Sequence, residues 1–493
     1  MMRRGVPAFA LAALTLALVP GCSMAPKYVQ PDLPVPVSWP VGDAYLAETE
    51  AALPVLSYRE VFADPRLVRL IELALANNRD LRIAAANIEA ARAQYRIQSA
   101  AQLPRIDAAA GRTQFDNGTA NQNRNQDIDI GNNPSASPST AGRRYTADLS
   151  TTAFEIDLFG RLRSLSDASL NRFFGTEAAA RATRLTLIGD IADAWLTHAA
   201  DASLLKLAED TAANAREQVK LTRLRLDGGI APRTDLRQAE QVLATAEADI
   251  ARQKTALAQD VNALQLLVGA PIDVGLLPQS LGEADDAVRA LPAGVDSAIL
   301  LRRPDVLQAE YELRAANADI GAARAALFPR ITLTGLAGLS SNVLSNLFTG
   351  AAFNYNAGAN VRYSLFAGGA AQAGVAQTEA RRDAAVAGYE RAIQTAFREV
   401  ADALARRGTI TEQLRADRAL VDAAEDTFSL ADMRYRGGVE SFLASLDAQR
   451  AAYQAQRTLL ATRLVEASNR VTLYRALGGE TAQPATTSPA PER

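Results

Sequence analysis

From Leu187 to Leu226 the apolar positions step alternately by four and three, the spacing of a helix packed along a seam. Of the twelve positions 187, 191, 194, 198, 201, 205, 208, 212, 215, 219, 222 and 226, nine are apolar, and His198, Asp201 and Thr222 are the exceptions. A second run keeps strict seven-residue spacing at Leu446, Tyr453, Leu460, Ala467 and Tyr474, with Leu464 and Val471 beside it. Both lie in proline-free tracts: nothing between Pro138 and Pro232, or between Pro329 and Pro484, is proline, although the chain has 21. A proline inside a helix costs about 3 kcal/mol, so such tracts are where long helices survive. The pattern predicts one from about Gly160 to Leu226, roughly 100 Å long at 1.5 Å per residue. Its many seam alanines allow neighbouring helices to approach closely and form a curved wall.

A two-residue period marks other stretches. Phe353, Tyr355, Ala357, Ala359, Val361, Tyr363 and Leu365 alternate with Asn354, Asn356, Gly358, Asn360, Arg362 and Ser364, which predicts a strand of about 13 residues with one apolar face. Ile331, Leu333, Gly335, Ala337 and Leu339 repeat the pattern more weakly, and Tyr145, Ala147 and Leu149 alternate with Thr146, Asp148 and Ser150. With residues 105–115 this makes four strands in two hairpins. Such strands suit an outer-membrane barrel, and on their own they suit a soluble sandwich equally well. In lipid, four strands cannot close, and each unpaired edge group costs several kcal/mol, so a barrel would need several chains. Two copies would give eight strands with a filled interior; three would give twelve and leave a pore.

The chain also repeats itself. Ile191-Ala192-Asp193-Ala194-Trp195 returns as Val400-Ala401-Asp402-Ala403-Leu404, Gly228-Gly229-Ile230 as Gly437-Gly438-Val439, and Gly269 as Gly478, all 209 positions later. Asn78-Arg79-Asp80 and Leu103-Pro104-Arg105 are echoed by Arg303-Pro304-Asp305 and Phe328-Pro329-Arg330 at an offset of 225. These echoes predict an internal duplication of a mixed unit of short helices, strand hairpin, long helix and return helix. A duplication built of long hairpins favours one elongated body over the three or so domains that length alone suggests.

Arg3 and Arg4 precede an apolar run from Val6 to Val19, which fits a bacterial export signal and is too short for a spanning helix. The run ends at Val19-Pro20-Gly21-Cys22, and Cys22 is the one cysteine of the chain. This resembles the lipobox of bacterial lipoproteins, which implies that Cys22 carries lipid, and paired acyl chains suffice for stable anchoring. Ser23 follows, where aspartate would signal inner-membrane retention, so the resemblance implies the outer membrane.

The net charge of -3, from 52 basic and 55 acidic residues, gives no field for nucleic acid. Enzyme chemistry finds no foothold either. One histidine, His198, a cysteine committed to lipid and no phosphate-cradling glycine motif leave no metal cluster and no nucleophile triad. No cofactor is expected beyond the covalent lipid on Cys22, and Trp39 and Trp195 read as packing residues.

The residues resemble the outer membrane factor family, the TolC-like channels, in its OprM-like or NodT-type lipoprotein branch. The carriers are Gly21-Cys22-Ser23-Met24-Ala25-Pro26-Lys27-Tyr28, Glu155-Ile156-Asp157-Leu158-Phe159-Gly160, Leu301-Arg302-Arg303-Pro304-Asp305-Val306, and Tyr435-Arg436-Gly437-Gly438-Val439 leading to Leu446-Asp447-Ala448-Gln449. The resemblance implies a mixed α and β fold: a homotrimer whose twelve-stranded outer-membrane barrel, four strands per chain, continues into a periplasmic α-helical coiled-coil barrel. It implies a passive exit duct for small molecules, with a periplasmic membrane fusion (adaptor) protein and an inner-membrane, proton-driven RND-type transporter as partners. The helical tips at Gly228, Gly229, Gly437 and Gly438 would dock the adaptor, although helix-ending turns alone account for both pairs. By position, Leu443 resembles the family's apolar gate residue, Asp447 its acidic ring residue, and Asp235 an aspartate that pairs near Tyr435. The sequence departs at Glu440, where TolC-like channels can place an arginine; Arg434 and Arg436 are the nearest replacements.

The expected division is 1–21 lipoprotein signal peptide, 22–62 acylated extended arm, 63–104 short helices, 105–158 strand hairpin and 159–270 long helical hairpin. After a linker at 271–300 follow short helices at 301–328, a strand hairpin at 329–366, a long helical hairpin at 367–478 and a disordered tail at 479–493. Type I protein secretion through the same architecture, and a periplasmic coiled-coil structural or adaptor lipoprotein, are the competing functions.

Overall fold

The proline-free tracts hold the two 67-residue helices of the computed structural model, which describes residues 23–45, 57–116, 141–289 and 297–479. The expected signal peptide and Cys22, most of the loop after the first strand, part of the 271–300 linker and nearly all of the tail lie outside the described residues. Helix α1 (Pro65–Asn77) starts where the Asp64 side chain accepts from the Arg66 amide at 2.7 Å and Pro65 presets the first turn. Helix α2 (Arg79–Ala100) follows and buries none of its residues within the chain. The first long hairpin pairs α3 (Arg161–Asp227, 67 residues) with α4 (Arg233–Val268, 36 residues). After α5 (Pro304–Ala325), the second pairs α6 (Ala370–Arg436, 67 residues) with α7 (Phe442–Ala476, 35 residues). Each 67-residue helix is about 100 Å long. None of the twelve seam positions on α3 is exposed. Two of the three polar exceptions, His198 and Thr222, are buried, and Asp201 is half-buried.

Strands β1 (Asp107–Asp116), β2 (Ala141–Ile156), β3 (Arg330–Ser341) and β4 (Phe353–Arg362) form one antiparallel sheet in the order β1-β2-β3-β4. Register sorts the side chains by polarity. The aligned row Ala108, Leu149, Ala337, Tyr355 lies beside the row Ala109, Asp148, Gly338, Asn354, and adjacent rows point to opposite faces. Two differences from the sequence expectation have local causes. Strand β4 stops at Arg362, short of Leu365, because its partner β3 begins at Arg330 after Pro329, which has no amide to donate. Strand β2 runs beyond Leu149 through a bulge between Thr151 and Phe154, with Ala153 at φ 55°. That extra residue reverses the alternation, so Phe154 and Ile156 align with Leu333 and Ile331 and rejoin the apolar face.

The chain divides into two compact units, one of Met1–Val29, Ala91–Phe173 and Glu312–Ala385, the other of Gln30–Ala90, Phe174–Tyr311 and Val386–Arg493. In the first, the arm lies on α5: Asn317 donates to the Pro26 carbonyl at 2.8 Å and Arg314 sits over the Tyr28 ring at 4.9 Å. In the second, Trp39 stacks on Phe397 of α6 at 4.9 Å, and Gln30 donates to the Tyr389 hydroxyl at 3.0 Å. The surface wrapped by the arm is therefore the chain's own helices. No described helix is long and apolar enough to cross a membrane.

Candidate functional site

Each long helix ends in the same turn. The Gly228 and Gly437 amides close back on the Leu224 and Met433 carbonyls at 3.0 and 2.9 Å. Gly229 and Gly438 then take left-handed φ values of 73° and 75°, which glycine adopts without strain. The residues that follow, Ile230 and Val439, are 80% and 74% exposed, so both turns present an apolar side chain outward.

Behind the tips the two hairpins share a core of Ala215, Ala239, Val242, Tyr435, Phe442 and Leu446. Tyr435 packs against Phe442 with ring centroids 5.2 Å apart, and its hydroxyl lies 3.4 Å from Thr222, the polar interruption of the α3 seam. Arg225 covers the same ring at 4.5 Å and donates to the Tyr435 and Arg436 carbonyls at 3.1 and 2.8 Å. Asp235 is half-buried at the start of α4. Arg434 donates to Glu440 at 2.7 Å and Arg436 pairs with Asp432 at 2.6 Å, so both nearby arginines are held within their own hairpin. Leu443 and Asp447 are exposed on one face of α7, a different face from that of the buried Phe442 and Leu446, and Asp447 lies 3.9 Å from Arg450.

Farther along the same helices Asp249 is a buried hub. It accepts from the Tyr453 hydroxyl at 2.8 Å and pairs with Arg252 at 2.8 Å, joining α4 to α7. Burial first, and the Asp249 carboxylate second, push the Tyr453 hydroxyl up to about 12. At the far ends the halves make matching bonds: Asn78 donates to the Leu267 carbonyl at 2.8 Å, and Arg303 to the Ala476 carbonyl at 2.7 Å. Arg225 and Asp249 escaped the sequence reading, because neither stands in a motif. Arg225 did carry one signal, since Arg434 is its counterpart at the 209-residue offset. Among the described residues no group of acidic, histidine or cysteine side chains could hold a metal ion.

In the other unit, the apolar face of the sheet is open. Leu149, Phe353, Tyr355 and Val361 are each more than half exposed, although side chains of this kind bury about 1.5–3 kcal/mol each when covered. Among the described residues the edge strands β1 and β4 each have a partner on one side alone. A soluble sheet would cover that face; a lipid-facing one would not.

The outer membrane efflux protein family matches residues 70–270 and 296–479. The solvent efflux pump outer membrane protein SrpC of Pseudomonas putida is 42% identical over 487 residues, covering 97% of this chain and 98% of that one. OprJ, an outer membrane protein of Pseudomonas aeruginosa, is 39% identical, covering 96% of each chain. The open state of the Neisseria gonorrhoeae MtrE outer membrane channel superimposes with a TM-score of 0.80 at 32% identity, over 93% of this chain and 99% of that one. With an efflux-family match through both halves and relatives that are efflux-pump components of the outer membrane, the chain belongs to the outer membrane efflux protein family.

Proposed function

We propose that three copies of this chain form a passive duct through which a pump exports small molecules across the outer membrane. The sheet carries the proposal: one contiguous apolar face is exposed and both edges are free within the chain. Joining β4 of one copy to β1 of the next satisfies the edges, and three copies make twelve strands around a lumen. The polar rows with Asp148, Thr146, Asn354 and Asn356 then line the interior. Helix α2, with no residue buried within its own chain, gains its cover from neighbouring copies in the same assembly.

The helical hairpins would extend this lumen into the periplasm, as a coiled-coil barrel built from two copies of one ancestral unit. The matching bonds of Asn78 and Arg303 and the identical glycine turns support that duplication. Ile230 and Val439, exposed at Gly229 and Gly438, offer a periplasmic adaptor protein an apolar footing, and the adaptor links the duct to an inner-membrane RND-type transporter. Lipid on Cys22 anchors the arm. Relatives are named for solvent, toluene and antibiotic efflux, so small apolar and amphipathic compounds are the proposed cargo. Nothing in this role needs a catalytic group.

Three exposed Leu443 side chains and three Asp447 carboxylates, brought around one axis, would form an apolar constriction and a cation-attracting ring. Single-channel recording in planar bilayers tests the reading. The wild-type trimer is expected to conduct poorly, and L443A combined with D447A to raise conductance. A monomeric detergent extract without pore activity would refute the duct, whereas unchanged conductance would remove these two residues from the gate.

A further inference from the structure

We infer that Arg225 is the positioning residue of the periplasmic gate, clamping the end of α6 to the tip of the first hairpin in the same protomer. The inference rests on the duct reading above. A helix ends with carbonyls that lack partners along its own axis, and its last turn carries partial negative charge. The end of α6 shows one such group clearly. The Gly438 amide reaches the Tyr435 carbonyl at 3.0 Å, while the Arg436 carbonyl is met by Arg225 at 2.8 Å. The guanidinium also reaches the Tyr435 carbonyl at 3.1 Å and lies over the Tyr435 ring at 4.5 Å. One planar group thus makes two charge-assisted hydrogen bonds and a cation–π contact, all to the other hairpin.

The repeat explains why Arg225 does this and its counterpart does not. Arg434 occupies the corresponding place in the second half, but its guanidinium is taken by Glu440 at 2.7 Å. Arg436, the other arginine of that tip, pairs with Asp432 at 2.6 Å, so both are engaged within their own hairpin. The first tip supplies the crossing cation from Arg225. Tyr435 and the α6 terminus lead within eight residues to Leu443, hence the clamp fixes where α7 begins and where its exposed gate face points.

The test uses the full-length trimer in planar bilayers, with melting temperature and trimer yield measured alongside. R225A is expected to raise conductance by roughly twofold or more, and R225K, which keeps the charge but not the two-pronged geometry, to fall between R225A and wild type. R216A, which breaks an exposed pair with Glu247 on the same hairpin, should leave conductance unchanged. Wild-type conductance in assembled R225A overturns the clamp while leaving the duct intact. If R225A does not assemble, R225K decides alone, with wild-type conductance again overturning the inference. Absence of pores in the wild-type trimer would instead fail the duct itself.

Discussion

Asp260 keeps its proton to higher pH than most carboxyl groups do. Burial, then the charge of the facing Asp201 on α3, pushes its carboxyl up to about 6 from an ordinary 3.8. Asp193, raised to about 6 chiefly by burial and opposed by the Arg475 charge, adds an independent second case. A carboxyl whose folded pKa is raised binds its proton more tightly in the native state. Its stabilising contribution is complete below the unfolded value and is lost as pH rises through the folded one. The protein is therefore expected to melt higher at pH 5 than at pH 7.5. D260N should raise the neutral-pH melting temperature and flatten part of that slope, leaving the share of Asp193; an unaltered slope in scanning calorimetry would contradict this. Arg303 is the opposite case, a buried cation serving Asp305, Glu399 and the Ala476 carbonyl. Both carboxylates are part-exposed, at 43% and 40%, and can rehydrate. Arg303→Met is accordingly expected at the lower end of the cost of breaking a buried pair, about 3 kcal/mol by denaturant unfolding.

At the scale of elements, the helices were legible and the strands only partly so. A heptad of small apolar residues in a proline-free tract has few competing folds, and the structure starts α3 at Arg161 and ends it at Asp227. The β2 bulge could not be read, because an extra residue that switches the alternation looks, in sequence, like the loss of a strand. Nor could the end of β4, since Tyr363 and Leu365 continue the pattern after β3 has run out of partners. What survives both corrections is the polarity of the sheet, which sets a direct test. V361R or Y355R on the apolar face should cost about 2–4 kcal/mol near the bilayer midplane and deplete the protein from the outer-membrane fraction. N360R, one residue away on the polar face, should be tolerated. Equal recovery of all three variants would argue against a lipid-facing sheet.

At the scale of the whole molecule, the candidate site is split between what a chain can complete and what it cannot. Within the protomer the tips are finished: Tyr435 is buried, Arg225 is engaged, and Arg434 and Glu440 satisfy each other. Leu443 and Asp447 have no such cover and face away from the hairpin core. The sheet has the same character, finished inside and open at its edges. These are the surfaces on which the proposed trimer would close.

The sequence by itself determined the helices and most of the strands, because proline exclusion, helical and strand periods and paired glycines act through neighbours a few positions away. It also determined the family, through motifs that recur in order along most of the chain. Tertiary structure alone decided the partners: Thr222 and Arg225 for Tyr435, Asp249 for Tyr453, and Arg434 for Glu440. Three of those four contacts join residues about 200 positions apart, and none follows from local spacing. A side chain with two possible counter-groups takes the one that packing brings within hydrogen-bond reach, and that distance is fixed only when the two hairpins dock.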